Sequence, residues 1–519
     1  MVLDNVISQV TRLHPHRIAI KDIRTTREWT YRSLTDHYQQ LAIWLAAYGI
    51  KKGGRVAVVS QNTPEHVILL LACSRIGAVL TPINCLLSVE QMLEVIDDSL
   101  AEIVFFSGHF EVIAERQCDL SHVKRCLRLS DDSGIPFPDL LSRPSSIAVD
   151  ESFVDLIGSV QPSDVLYQMY TSGTTGKSKG AMISHANVLA ELTGLSYALC
   201  VRAGDRVLIA TPYFHGAAVM MTILAISHGG TCLVSDSLSA DELTAALIDE
   251  HAAFSFVVPG MIINMLKADA ERRQSFPSLK ALVYGAAPIP VTIQRDALAY
   301  FGQKLVQIYG QTETVMAMTL LAAQDHALSV GERHAGRLQS VGREIFGCEV
   351  RVFDDQDRDV NAGEIGEVVA RGDNIMSGYH NMLEATSTAL RDGWLRTGDL
   401  ATIDGDGYIY LRGRKKDLII CDGENVYPIQ VERVIDQIDG VLESAVIGIP
   451  HPIDGEKIKA FVVLRSGSLL GEDDIIKHCK GHLGEFQCPR HVEIVDKLPR
   501  NTGGKILKTD LRRKHWEGA

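Results

Sequence analysis

Residues 55–84 hold a complete strand–helix–strand unit, written out in residue order. Arg55-Val-Ala-Val-Val59 is an apolar run of strand length, and Asn62-Thr63-Pro64 supplies a cap followed by proline at the first helical position. The apolar stretch that follows runs to about Ile76 and stops at Gly77, after which AVLTPIN predicts a second strand. Similar alternation recurs at AEIVFFSG (101–108), at RVLIATPYF (206–214), and at FSFVVPG (254–260) with the apolar helix MIINMLKAD behind it. This spacing predicts a large α/β body built on several sheets.

The pattern changes near residue 340. From there Gly and Asp turns separate the short β runs GCEVRVFD, GEIGEVVARG and DGYIYLRG. Beyond Gly413 alternation returns, with YPIQVERVIDQI and EDDIIKHCKGHL as helices and SAVIGIP and IKAFVVLR as strands. At 519 residues the chain exceeds the size at which one core keeps growing. The expected division is a large domain over 1–413 and a small α+β domain over 414–519, joined at GRKKD (413–417).

Composition excludes several function classes. The net charge is −13, and the residues from Arg414 onward are balanced, so the excess of acid lies in the first 413 residues. A nucleic-acid groove would need clustered positive charge and is not expected. No apolar run reaches membrane-spanning length, and neither end reads as a secretory, lipidation or peroxisomal address, so the cytoplasm is the expected compartment. Ten scattered cysteines without paired spacing predict reduced thiols and no zinc site.

Four stretches carry chemistry. In YTSGTTGKSKG (170–180), Thr171, Ser172, Thr174 and Thr175 put hydroxyls beside Gly173, Gly176 and Gly180, with Lys177 and Lys179 adding charge. Glycines let backbone N–H groups approach a ligand, and hydroxyls turn to fit phosphate oxygens, so the loop suits a polyphosphate. It is not a Walker A loop, because Thr171 stands where that pattern needs its first glycine. In YGQTET (309–314) an aromatic, a hydroxyl and a carboxylate follow a short apolar strand, an arrangement fit to stack a base and hold a divalent ion, although a plain turn reads the same way. Trp394-Leu-Arg-Thr397-Gly398-Asp399 places a carboxylate after a tight turn, where it either accepts from ribose hydroxyls or simply serves the turn. Near the end, Lys505 follows Gly503-Gly504 and is either a mobile point charge for an oxyanion or a solvated lysine.

Taken together, these stretches resemble the acyl-adenylate-forming superfamily: acyl-CoA synthetases, carrier-loading adenylation domains and beetle luciferases. The resemblance covers residues 10 to 515, with YTSGTTGKSKG, ISHANV (183–188, holding His185 and Asn187), TPYFH (211–215), YGAAP (284–288), YGQTET, TGD (397–399), GRKKDLIICDGENVYPIQVE (413–432) and TGGKILK (502–508) in the family's order. It implies a large N-terminal domain with a small mobile C-terminal one, and roles for individual residues. Thr171, Ser172, Gly173, Thr174, Thr175 and Lys179 would embrace the β and γ phosphates of ATP. Tyr309 would pack on adenine near Gly285, Ala286 and Ala287; Thr312 would touch the α-phosphate; Glu313 would bind Mg²⁺; Asp399 and Arg414 would hold the ribose. His215 would stand beside the substrate carboxylate, Lys505 would bridge that carboxylate and the phosphate, and Lys416 would be the hinge of the small domain. Asp422-Gly423 departs from the Gly-Gly or Lys-Gly of many members.

The activity so implied is an AMP-forming acid–thiol ligase that uses ATP, Mg²⁺ and coenzyme A. Phe214, Gly216 and Val219 sit in a segment with no charged residue until after Ile226, which disfavours amino acids and predicts a fatty, alicyclic or aryl acid, with Gly216 leaving room for it. The short stretch after Lys505 holds no carrier domain, so free CoA is the expected acceptor and a separate carrier protein the alternative. A non-catalytic ATP-binding module is the reading from another class. A homo-oligomer stays open.

Overall fold

The computed structural model describes residues 1–130, 137, 151–171, 178–236, 238–269, 274–326, 336–421, 424–451, 455–500 and 505–516. Among these residues four sheets form. The first has at its centre the parallel strands Leu305–Tyr309, Ala281–Tyr284, Phe254–Val257, Arg206–Ile209, Thr231–Val234 and Ile18–Asp22, with antiparallel strands at both edges. The second runs through Gly378–Tyr379, Lys179–Ser184, Val165–Thr171, Val79–Ile83, Arg55–Val59, Ile103–Phe106 and Arg125–Arg128. The helices Pro64–Ile76 and Gly216–Ser227 are largely apolar, buried along nearly their whole length, and lie in the core the two sheets share, which is where such helices must go. Helix Pro64–Ile76 ends on Gly77 at φ +68°, the left-handed stop its sequence signals.

The third sheet is antiparallel and joins Cys348–Phe353, Gly366–Gly372, Trp394–Ile403 and Ile409–Arg414. The fourth, between Ile419 and Ile494, packs its own core of Ile419, Val426, Val431, Ile435, Val446 and Ile458 against the helices Pro428–Ile435 and Glu472–His482. A large N-terminal α/β domain with a smaller C-terminal one is therefore the architecture. No helix among the described residues is long and apolar enough to cross a membrane.

One cap differs from expectation. Thr63 precedes the helix, but its side chain makes no cap hydrogen bond to it. The Asn62 side chain is spent elsewhere, donating to the Thr211 carbonyl at 2.9 Å and accepting from the Tyr213 N–H at 2.8 Å. Those bonds tie the second sheet to the loop that leads to His215.

Candidate active site

Strands Ala281–Tyr284 and Leu305–Tyr309 run parallel and end side by side, and their carboxyl ends open the cleft where α/β sheets take ligands. Gly285 follows the first strand; a Cβ there would lie 2.4 Å from the Ile308 carbonyl, so only glycine lets the loop rest on its neighbour. Ala286 then takes φ +68°, a strained conformation for a residue with a Cβ.

Beyond Tyr309 the chain turns through a 3₁₀ segment, Thr312–Thr314, locked by Thr314 Oγ, which accepts from the Gln311 N–H at 3.1 Å. Val315 follows at φ +63°, ψ −59°, and the Met316 N–H donates back to the Thr314 carbonyl at 2.7 Å. That is a γ-turn of positive φ on a β-branched residue, a rare conformation that costs about 1–3 kcal/mol and persists only where surroundings enforce it. The Val315 carbonyl points at Gly216, where a Cβ would sit 2.4 Å away. Gly216 is thus glycine because the turn lies on it; the room expected there for an acid is filled by backbone.

Glu313 is buried, and its Oε1 accepts from the Tyr379 hydroxyl at 2.5 Å while its backbone carbonyl accepts from Met376 N–H at 2.8 Å. Lys179 lies over the Tyr379 ring, 5.1 Å from its centre. Strand pairing brings these together: Thr171 pairs with Lys179, and Tyr379 with Ala181. Ser172, Gly173, Thr174 and Thr175 lie outside the described residues, as does Asp422-Gly423. Among the described residues no group of three or more His, Cys, Asp or Glu side chains is placed to hold a metal ion. The Glu313 carboxylate, with no hydrogen bond to Oε2 among the described residues, fits a hard divalent cation that takes its other oxygens from phosphates and water.

Asp399 lies inside the strand Trp394–Ile403, not after a turn as the sequence suggested. Gly398 at φ +72° twists that strand, and the register shifts just beyond, between Leu400 and Ala401. Its Oδ2 accepts from the Tyr309 hydroxyl at 2.7 Å and its Oδ1 pairs with Arg414 Nε at 3.0 Å. Arg414 is the cross-strand partner of Asp399. Burial, and after it the Asp399 charge, drives the Tyr309 phenol well above its ordinary range, so it remains a donor. Lys505 is pushed down to about 8, first by burial and next by the Arg414 charge, with Asp399 and Asp417 pulling the other way. The C-terminal lysine therefore stands within electrostatic reach of the Asp399–Arg414 pair. Lys416 occupies an exposed 3₁₀ turn, Lys415–Asp417, directly after the strand that ends at Arg414.

His215 immediately precedes the buried helix Gly216–Ser227, and its ring centre is 4.6 Å from that of Phe214. Phe214 and Val219 are both buried. Three residues the motifs did not single out grip the site: Tyr379 on Glu313, and Glu191 and Asn374 on Ala317. For Glu191 a signal existed, since it is the one charged residue in the helix His185–Leu199.

The chain is similar to known proteins along its length. The model of the AMP-binding enzyme family matches residues 7–380, and that of the AMP-binding enzyme C-terminal domain matches residues 430–505. A feruloyl-CoA synthase of an Amycolatopsis species is 34% identical over 505 residues, covering 97% of each chain. A long-chain-fatty-acid–CoA ligase of Mycobacterium tuberculosis is 31% identical over 516 residues, covering 98% of each. The ATP-bound crystal structure of MatB from Rhodopseudomonas palustris superposes with a TM-score of 0.86 at 28% identity, covering 99% of each chain. A nucleotide cleft at paired strand ends, a buried carboxylate fit for a divalent ion and these matches along the chain lead to one assignment: the protein belongs to the AMP-binding enzyme family, the acyl-adenylate-forming acid–thiol ligases.

Proposed function

We propose that the chain is an ATP-dependent acid:CoA ligase, which adenylates an apolar carboxylic acid with release of pyrophosphate and passes the acyl group to CoA with release of AMP. What supports this reading is the match of the family models along the chain, together with the Asp399–Arg414 pair, whose charges Lys505 of the C-terminal domain feels. Such an arrangement would serve an adenylation step.

In that step a carboxylate oxygen bonds to the α-phosphorus, and the bond from that phosphorus to the pyrophosphate oxygen breaks with its electron pair. The attacking carboxylate is ionised near neutral pH, so no base is needed. The task left is to bring two anions together, by position and by charge. Lys505 places an ammonium between carboxylate and phosphate, and Thr312 donates to the α-phosphate. Tyr309 and the Gly285–Ala287 loop hold adenine, Asp399 and Arg414 the ribose, and Thr171 to Thr175 with Lys179 the outer phosphates. Glu313 would hold Mg²⁺, which would supply further positive charge to those phosphates. In the second step the CoA sulfur bonds to the acyl carbon, the bond to the AMP oxygen breaks and the thiol proton passes to water. Rotation of the small domain about Lys416 withdraws Lys505 and admits the thiol.

The acid is apolar. Phe214, His215 and Val219 provide ring and hydrocarbon surface, and no ionised side chain stands in the segment to pair with an ammonium group. Relatives that are named for feruloyl and for long-chain fatty acyl groups support an aryl and a fatty acid alike. The test is a panel of such acids with ATP, Mg²⁺ and either CoA or a holo-carrier protein, read as AMP release and thioester mass. CoA thioester is expected. Thioester on the carrier alone would overturn the choice of acceptor, and absence of acid-dependent pyrophosphate exchange would overturn the ligase.

A further inference from the structure

Glu191 is a carboxylate in the wrong solvent: it lies in the helix His185–Leu199, is 1% exposed, and has no cation among the groups that shift it. Burial pushes its carboxyl up to about 8. The titratable groups facing it are Tyr167, on the strand that leads to the phosphate loop, and Cys348, at the start of the third sheet. Such a group is costly to bury unless its bonds are made. A leucine would pack this core at no such cost.

Its bonds show what the carboxyl is for. One oxygen accepts from the Ala317 N–H at 2.9 Å and the other from Asn374 Nδ2 at 3.0 Å. The same Nδ2 donates to the Ala317 carbonyl at 3.0 Å, so both backbone groups of Ala317 are held. One turn earlier on the helix, Asn187 Nδ2 donates to the carbonyls of Asp373 and Ile375, at 2.7 Å each, and fixes the chain on both sides of Asn374. Ala317 follows directly on the strained turn at Val315, which Met316 N–H closes onto the Thr314 carbonyl just after Thr312 and Glu313. Asn374 begins the run whose Met376 N–H and Tyr379 hydroxyl hold Glu313.

We infer that Glu191 is a positioning residue: it clamps Ala317 and Asn374 so that the strained turn at Val315 keeps Thr312 and Glu313 aimed at the magnesium-bound phosphates. The inference rests on the roles proposed for Thr312 and Glu313. Its test is chosen to need neither acid nor CoA.

ATP binding is measured by calorimetry as a function of free Mg²⁺ in the unaltered protein, in Glu191→Leu, which fills the volume but accepts nothing, and in Glu191→Gln, which keeps an acceptor for Ala317. Leu195→Ala is the control, since Leu195 is buried on the same helix and bonds to neither clamp. Glu191→Leu is expected to raise half-saturating Mg²⁺ about tenfold, the lower end of what loss of a supporting partner does to a metal site, with Glu191→Gln between it and the unaltered protein. Leu195→Ala is expected to lower the melting temperature and leave the Mg²⁺ dependence alone. An unshifted Mg²⁺ dependence in folded Glu191→Leu, or an equal shift in Leu195→Ala, would overturn the inference. Should the unaltered protein bind ATP without any Mg²⁺ dependence, the role of Glu313 fails first and the inference falls with it.

Discussion

The Tyr309 hydroxyl donates to Asp399 Oδ2 at 2.7 Å across 90 residues of sequence, and Arg414 Nε holds the other oxygen at 3.0 Å. One carboxylate thus joins the end of a first-sheet strand to the third sheet. The phenol stays protonated because burial raises it, so the bond persists across the working pH range. Tyr309→Phe keeps the ring and removes the donor. A hydrogen bond to a charged group contributes about 1.5–3 kcal/mol, so the half-saturating ATP concentration should rise at least tenfold while the value for the acid stays put. ATP titrations of pyrophosphate exchange read both.

Local rules made the strands and helices legible. Arg55–Val59, Pro64–Ile76 and Val79–Ile83 form where period, proline and glycine place them. Long-range satisfaction was not legible. Asn62 looks like part of a cap, yet its amide bonds to a loop 149 residues away, and Glu191 reads as a stray charge until Ala317, 126 residues on, is seen to need it. The motif order singled out the candidate site residues, but not the reason for Gly216. Its constraint is a carbonyl from a turn a hundred residues later, and no local pattern encodes a backbone approach of that kind.

Gly216→Ala tests that constraint. The added Cβ would lie 2.4 Å from the Val315 carbonyl, backbone that cannot swing aside as a side chain can. The helix or the turn must shift, at about 1–3 kcal/mol. A lower melting temperature is expected together with a loss of adenylation larger than the loss of folded protein. Normal stability and normal exchange would mean that the Val315 turn relaxes freely.

Lys505 sets the alkaline limb. Its ammonium is pushed down to about 8, so the charged form is complete well below that pH and disappears as pH rises through it. The substrate carboxylate is already ionised there, and adenylation should fall above pH 8 for want of the cation. Lys505→Arg keeps its charge and should lose the limb, at a lower plateau because a guanidinium fork is not an ammonium point. Lys505→Ala should cost adenylation roughly 3 kcal/mol, the size of one preorganised donor. Thioester formation from supplied acyl-adenylate should stay near the unaltered rate. Equal loss of both half-reactions would remove Lys505 from its proposed role.

The connector offers the last test, and its geometry selects the position. Proline at 416 would force Lys415 toward extended backbone, whereas Lys415 begins a 3₁₀ turn here, so that substitution would damage the adenylation arrangement itself. Position 415 suits proline better. Arg414 before it is already extended at φ −93°, ψ 142°, and position 415 is the first of the 3₁₀ turn, where proline's fixed φ is tolerated. The substitution gives up only an exposed ion pair with Asp355, which contributes little. Lys415→Pro should therefore favour the observed arrangement, with Arg512 still on Asp417 at 2.7 Å, and oppose rotation about Lys416. Pyrophosphate exchange should continue at nearly its unaltered rate. Conversion of supplied acyl-adenylate to thioester should drop severalfold, and acyl-AMP should accumulate in the complete reaction. If both half-reactions run normally in Lys415→Pro, the turn at 415–417 is not where the small domain pivots.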